Sequence, residues 1–495
     1  MMTRCRRLVL PLVVIPVIAG CALSTPRSEP AGAPGKTVST EKGSLTIAGS
    51  AAERATILLT AGKRDFRGWL SSKDPTNLVS QLPAHVRFIG GPGGNAVFRG
   101  HLRHRGSPFV VVDGCRLLFD GRLDLPSGMG YVWLRDGATF HVGRDAWINN
   151  YTGTDQNTRE LLVRGDPGSK AVETFEIAPD FLADKCGFDP ETGKHSWQPK
   201  GFCQLTIINA TLKTHSTSGI PSMLKKYRGR LVRDSELNFL GESQWIVDTE
   251  HQVCRGTVRS WRDLTIVTHK DLTVMCDDRI PNSRFGDRNI TKRGAGTLDV
   301  SCRQFYYRGP PHMGQTGAIP TLRVEQGRLL LRTNPYEYEA GEGGAKCVAP
   351  RTEITEAGTV EFWNPGSTIE SLESAGTLTF RRHGRLKITG NCELQSSSTI
   401  QIPMLRNSRR KSPPFLHIGG DLKLAGVLVI EDPDTRPGTY SIFSAAGKLS
   451  GQFDKIRLGA GLTGTLDAAG QLAVEPTKAA GGHNQRRPAA GAGKR

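Results

Sequence analysis

A chain of 495 residues with 58 glycines, 29 prolines and 23% charged residues is glycine-rich beyond the usual globular share, and its alternating apolar positions exclude a disordered polymer. The formal charge of +18 is spread out: three positives stand in the first seven residues and five in the last eighteen, which leaves about +10 for everything between. Nucleic-acid proteins gather charge and aromatics on one face. Here arginines alternate with apolar residues, as in Leu329-Leu330-Leu331-Arg332 and Phe380-Arg381-Arg382, which predicts solvated outer faces, no nucleic-acid partner and an attraction to anionic polymers.

The chain opens with a basic segment, Met1 to Arg7, followed by an apolar run of 12 residues from Leu8 to Ala19 that includes Pro11 and Pro16. That run is too short to cross a bilayer, and its flanks are those of a secretory signal peptide. It ends Ile18-Ala19-Gly20-Cys21, which resembles the bacterial lipoprotein signal, where small residues precede a cysteine that becomes acylated. The resemblance implies a signal peptide over 1–20, lipid attachment at Cys21 and a membrane partner reached through that anchor. Ala22 in place of Asp implies, by the same resemblance, the outer membrane or cell surface of a diderm bacterium. Residues 21–42, rich in Ser, Pro, Gly and Ala, read as a flexible tether.

The fold is expected to run over 43–475, beginning with Ser44-Leu45-Thr46-Ile47-Ala48. One short helix is predicted, with Asp74 as N-cap and Pro75 at its first position, as part of a small N-terminal cap. From His85 the pattern is β: His85-Val86-Arg87-Phe88-Ile89, then Phe109-Val110-Val111-Val112. Gly114 and Gly137, 23 residues apart, each precede a strand opening. The rhythm breaks at 168–202, where Phe175-Glu176-Ile177-Ala178-Pro179 and Cys186-Gly187-Phe188-Asp189-Pro190 read as a projecting loop. It resumes at Leu205-Thr206-Ile207-Ile208-Asn209-Ala210-Thr211-Leu212.

A phrase then recurs: a turn glycine, one small or polar residue, and Leu or Val opening an alternating run. It stands at Gly296, Gly327, Gly358, Gly376, Gly384 and Gly426, and the first three are 31 residues apart. Equal spacing of a turn-then-strand unit is the mark of stacked β-coils. One coil cannot bury its own apolar row; coils stacked at about 4.8 Å share a continuous core. The predicted fold is all-β, mostly a right-handed parallel β-helix (β-solenoid), with a disordered basic tail over 476–495.

Eight cysteines remain once Cys5 and Cys21 are set aside, an even number that suits disulfides in an exported chain. Cys254, Cys276 and Cys302 are 22 and 26 residues apart, about one coil each, so neighbours are candidates for bridging across the stack. Cys186 and Cys203 are placed to close a loop. The pairing stays open, with buried thiols as the alternative. No Cys-x-x-Cys pair exists, so no structural zinc, and no other metal or cofactor, is expected.

The segment Lys292-Arg293-Gly294-Ala295-Gly296-Thr297-Leu298, with Val324-Glu325-Gln326-Gly327-Arg328-Leu329-Leu330-Leu331, resembles the autotransporter passenger-associated β-strand repeat. The stretch from Leu422 to Val474, with Gly438-Thr439-Tyr440 and Gly451-Gln452-Phe453, resembles the terminal coils of passenger-like β-helices. The resemblance covers 290–475 and implies architecture, not activity. It does not extend to a C-terminal membrane β-barrel, so self-transport is not implied.

Carboxylates converging in a groove, with Arg or Lys beside them, would signal catalysis on polysaccharide. The densest group is Asp248, Glu250, His251, Asp263, His269, Asp277 and Asp278. Asp248 and Glu250, two apart on a strand, would share a face. No polygalacturonase or pectate lyase signature accompanies them, and there is no phosphate loop, Gly-x-Ser-x-Gly elbow or HExxH. The sequence therefore points to a structural or adhesive envelope protein that binds glycan, matrix or a cell surface. A β-helix lyase or glycoside hydrolase acting on acidic polysaccharide, with Asp248, Glu250, Asp277 and Asp278 as its acids, is the alternative.

Overall fold

The computed structural model describes residues 37–39, 55–59, 63–66, 85–98, 101–103, 109–124, 130–149, 160–168, 172–181, 204–217, 224–227, 230–233, 236–249, 251–275, 284–285, 288–301, 304–305, 307–308, 319–332, 346–347, 350–363, 367–381, 384–403, 414–431 and 434–477. Among them no helix occurs, and nearly every strand pairs in parallel with strands one coil before and after. The molecule is a parallel β-helix. The strand expected at Ser44 to Ala48, the helix expected after Asp74 and the tail beyond 477 lie outside the described residues.

A coil of the second half has three strands. Ser371–Ser374, Thr377–Phe380 and Leu386–Ile388 form one, and each pairs with its counterpart in the preceding coil, Arg351–Ile354, Gly358–Phe362 and Ser367–Ile369. In the first half the turn between strands is tighter. The strand Phe109–Phe119 passes through Gly114 (φ 64) and continues onto a second face, pairing with both Gly130–Arg135 and Thr139–Val142. Arg116 meets Thr139, which confirms the 23-residue coil.

The repeated glycines fall where the spacing placed them. Gly327 pairs with Gly358, and Thr359 with Thr377 directly after Gly376. Gly384 is the exception, because Leu386–Ile388 belongs to a different face. Close backbone approach excludes a side chain at both Gly327 and Gly358, since a Cβ at Gly327 would lie 2.2 Å from the Gly294 carbonyl oxygen. Gly327 has φ +72, the left-handed region. Gly358 has no positive φ, but a Cβ there would lie 2.4 Å from the Val324 carbonyl oxygen. It is glycine because the chain of the previous coil passes too close for a side chain.

Alternation sends one row inward. Along one inner line Phe140, Phe175, Leu212, Trp245, Ile266, Lys292, Val324 and Ile354 succeed one another in register. Phe98, Phe119, Phe140 and Phe175 stack with ring centroids 5.5, 5.3 and 5.5 Å apart. Burying each such ring contributes roughly 1.5–3 kcal/mol. The stretch read as a projecting loop is therefore partly corrected: Thr174–Ile177 is a strand of the stack, with Phe175 and Ile177 fully buried. The turn signals at Pro179 and Pro190 obscured a strand of only four residues.

Lys292 interrupts the apolar line. Its side chain is fully buried, yet its Nζ donates to the carbonyls of Arg293 (2.8 Å), Gly294 (2.7 Å) and Gln326 (2.9 Å). An ammonium has three N–H bonds, and each finds a corner carbonyl. Burial pulls the group down to about 8, so it stays charged at neutral pH. The lysine of the repeat phrase thus works from inside, tying two successive corners together.

At the far end the coils give way to an antiparallel sheet. Gly438–Ser441 and Leu462–Leu466 flank Gln471–Pro476, and Leu472, Val474 and Tyr440 bury against the last coil. The Gly438-Thr439-Tyr440 phrase lies in this antiparallel sheet. Cys254 is a buried thiol whose neighbour one coil on is Val274. The spacing of 22 residues made Cys276 one candidate partner of Cys254, with a buried thiol as the alternative; the coil there is 20 residues. Cys186, Cys203, Cys276 and Cys302 lie outside the described residues or their described side chains.

Candidate functional site

Two rows of outward side chains run side by side where Thr139–Val142, Thr174–Ile177, Thr211–Thr214 and Ser243–Val247 stack. His141, Glu176 and Lys213 pair in register in the first row. His215, Asp248 and His269 follow one another in the second, just past the ends of their strands, where the Asp248 N–H donates to the Thr214 carbonyl and the His269 N–H to the Val247 carbonyl of the coil before. Alternation produces this: Phe140, Phe175, Leu212 and Val247 go inward, so the residues beside them go out.

Glu176 is the hub. Its Oε2 accepts from His141 Nδ1 at 2.8 Å and from Arg116 Nη2 at 3.0 Å; its Oε1 accepts from His215 Nε2 at 2.9 Å. Lys213 Nζ is 3.8 Å from Oε1 and 3.0 Å from Asp248 Oδ2. The hydrogen bond from His141, joined by those from His215 and the Arg116 charge, outweighs burial and holds Glu176 down at about 2. Asp248 is likewise held below the usual carboxylate range, first by its hydrogen bond from Lys213 and then by the charges of Lys213, His215 and His269.

An ionised carboxylate only accepts. The two ring nitrogens that face Glu176 therefore carry protons, and this network assigns the tautomers. In the neutral rings His141 Nε2 and His215 Nδ1 keep their lone pairs. One carboxylate orients two imidazoles, an arrangement suited to moving protons. It is also nearly charge-neutral, since Arg116 and Lys213 are matched by Glu176 and Asp248.

Of the acids singled out in the sequence, Asp248 joins this group, with His269 beside it. Asp263 stands apart, accepting from Asn289 at 2.8 Å, as does His251, 3.1 Å from the Thr273 hydroxyl. Glu250, Asp277 and Asp278 lie outside the described residues, as does Cys21. Sequence reasoning missed Glu176, His141 and His215. Their signal was an outward polar position in a strand, readable only once Thr174–Ile177 is known to be in the stack.

A second charged face lies on the nine-stranded sheet. Glu361, fully buried in its side chain, receives Trp363 Nε1 at 2.6 Å and forms ion pairs with Arg328 and Arg381. Arg332 donates from Nε to both oxygens of Asp299 at 3.0 Å. Trp363 stands between Arg332 and Arg381 along the stack, their guanidinium carbons 4.0 and 5.3 Å from its ring centre. A third outer row carries Arg323, Glu353, Glu373, Glu393 and Lys423 in register, closed by Arg323 to Glu353 at 2.9 Å and Lys423 to Glu393 at 2.6 Å.

Among the described residues no group of three or more His, Cys, Asp or Glu is disposed to hold a metal ion, and no helix is long and apolar enough to cross a membrane. No protein-family model matches the chain, and no curated protein matches it.

Proposed function

We propose that the chain is an exported, lipid-anchored β-helix of a bacterial cell envelope that holds acidic glycan on its outer face. The observation that carries this is the parallel ladder from Gln252–Arg255 to Lys455–Arg457, nine strands in succession. Such a ladder fixes outward side chains in rows about 4.8 Å apart. A repetitive polymer meets a repetitive, rigid surface, and weak contacts add along it. The net positive charge favours an acidic polymer. The signal segment ending at Cys21 supports the anchor, and the passenger-like phrases from 290 support an extracellular role.

Retention on immobilised polygalacturonate, with release as salt rises, tests the binding. Absence of retention at low salt overturns it. The intact mass of membrane-extracted protein tests the anchor: an N-terminus at an acylated Cys21 is expected, and an unacylated one removes it.

The His141–Glu176–His215 group favours a second reading, an enzyme acting on acidic polysaccharide. Against it, a glycoside hydrolase needs one carboxyl kept protonated, and both Glu176 and Asp248 are held in the ionised form. New reducing ends or unsaturated products from polyuronates, lost on His141→Ala, would establish the enzyme.

A further inference from the structure

We propose that the row Arg332, Trp363 and Arg381, with Arg328 beside it, is the subsite that grips the carboxylate or sulfate groups of the acidic glycan. The assignment rests on the binding role above and locates it.

The formal charges of this face nearly balance, with three arginines against Glu361 and Asp299, but they lie at different depths. The arginine side chains are 42, 41 and 50% exposed for Arg328, Arg332 and Arg381, while Glu361 is 0% and Asp299 15% exposed. A polymer laid on the face therefore meets guanidinium groups, and the acids lie beneath them. The carboxylates beneath also fix the guanidiniums: Nε of Arg332 is tied to Asp299 and Nε of Arg381 to Glu361. Stacking against Trp363 fixes the planes further. The ordering that a free arginine would undergo on binding has taken place already.

Spacing and surroundings fit the same ligand. Leu331 pairs with Phe362, and Phe362 with Phe380, so Arg332 and Arg381 are two coils apart, about 10 Å. That separation lets two acidic groups along one extended chain be held together. The neighbouring outer row is Thr359, Thr377 and Thr399, in register, with Thr379 donating to Gln401 at 2.9 Å in the row between. Neutral hydroxyls beside guanidiniums suit a polymer that is both acidic and rich in hydroxyl groups.

Removing Arg381 outright would strand the buried Glu361 charge, so the test keeps the positive charges. Arg332→Lys/Arg381→Lys loses the planar fork and the indole stacking but not the ion pairs. Arg332→Gln is the second variant, because Asp299 is shallow enough to be rehydrated. Lys423→Gln, on the other outer row, is the control. Affinity for polygalacturonate, dextran sulfate and neutral dextran is measured by quartz-crystal microbalance, with far-UV circular dichroism confirming the fold. Binding to the two acidic polymers should weaken about tenfold in both variants and hold in the control; carboxylate and sulfate arms separate the two sources of charge. Wild type that binds neither polymer overturns the broader role. Wild type that binds while both variants bind within a factor of about two overturns this subsite alone. Single-stranded DNA bound as tightly, and weakened by the same changes, would overturn the glycan assignment in favour of a general polyanion site.

Discussion

The ammonium of Lys292 lies under Gln326 of the next coil and donates to its backbone carbonyl across 2.9 Å. The same group caps the Arg293 and Gly294 carbonyls of its own corner. Lys292→Met keeps the stem and the volume but leaves three carbonyls without this donor. At about 1 kcal/mol or more for each, stability should fall by about 3 kcal/mol or more. The urea midpoint measures the loss. Hydrogen exchange should place it at the corners around Gly294 and Gly327, because a solenoid yields coil by coil. A global stability within a few tenths of a kcal/mol of the wild type would mean water replaces the ammonium without cost.

Glu176 links stability to pH. Its folded value of about 2 lies below the ordinary 4.5, so its contribution is complete above about 4.5 and is lost as pH falls towards 2. A shift of that size corresponds to about 3 kcal/mol. Glu176→Gln should therefore cost most at neutral pH and little near pH 2. Denaturant midpoints of both proteins between pH 2 and 7 decide it, and parallel curves would show that the His141 and His215 contacts contribute nothing.

Much of the architecture was legible because a solenoid repeats its steric demands. Gly327 and Gly358 recur at one spacing since each coil brings backbone to the same point, and Leu298, Leu329 and Val360 recur behind them as one inner row. What was hidden depended on coil length. Coils measured between paired residues run from 18 (Val360 to Leu378) to 44 (Leu161 to Leu205), so no single period aligns the outward residues. His141 and Glu176 are 35 residues apart, and Glu176 and His215 are 39; nothing in their local sequence joins them. The inward place of Lys292 was hidden for another reason, because a charged side chain at a core-facing position departs from the apolar row around it. At Cys254 two residues of coil length decide its neighbour, which is Val274.

The buried thiols should be chemically silent in the folded protein. Cys392 sits between Leu372 and Leu422 in an inner row, and burial pushes its thiol up to about 12. Burial raises Cys115 to about 11. The thiolate is the reacting species. Iodoacetamide at pH 8 should leave both unmodified in native protein and label both in urea, read by peptide mass spectrometry. Labelling of Cys392 in the native state at the rate of an exposed thiol would contradict its place in the core.

The stacked rings offer a test of how the rod shares its stability. Phe140 lies between Phe119 and Phe175, its centroid 5.3 and 5.5 Å from theirs. Phe140→Ala removes the middle of that column, and coils above and below cannot collapse into the gap because their spacing is fixed by backbone hydrogen bonds. The cost should approach the upper end for a core phenylalanine, about 3–5 kcal/mol. Phe380→Ala, where the centroid neighbours at 5.8 and 6.0 Å are Phe362 and a tilted Phe415, should cost less. Each lesion acts on its own neighbours, so the two should be additive, being many coils apart. Hydrogen exchange in the double variant would then show two separate soft zones. A single cooperative loss across the whole rod would mean that the coils fold as one unit rather than as a row of nearest neighbours.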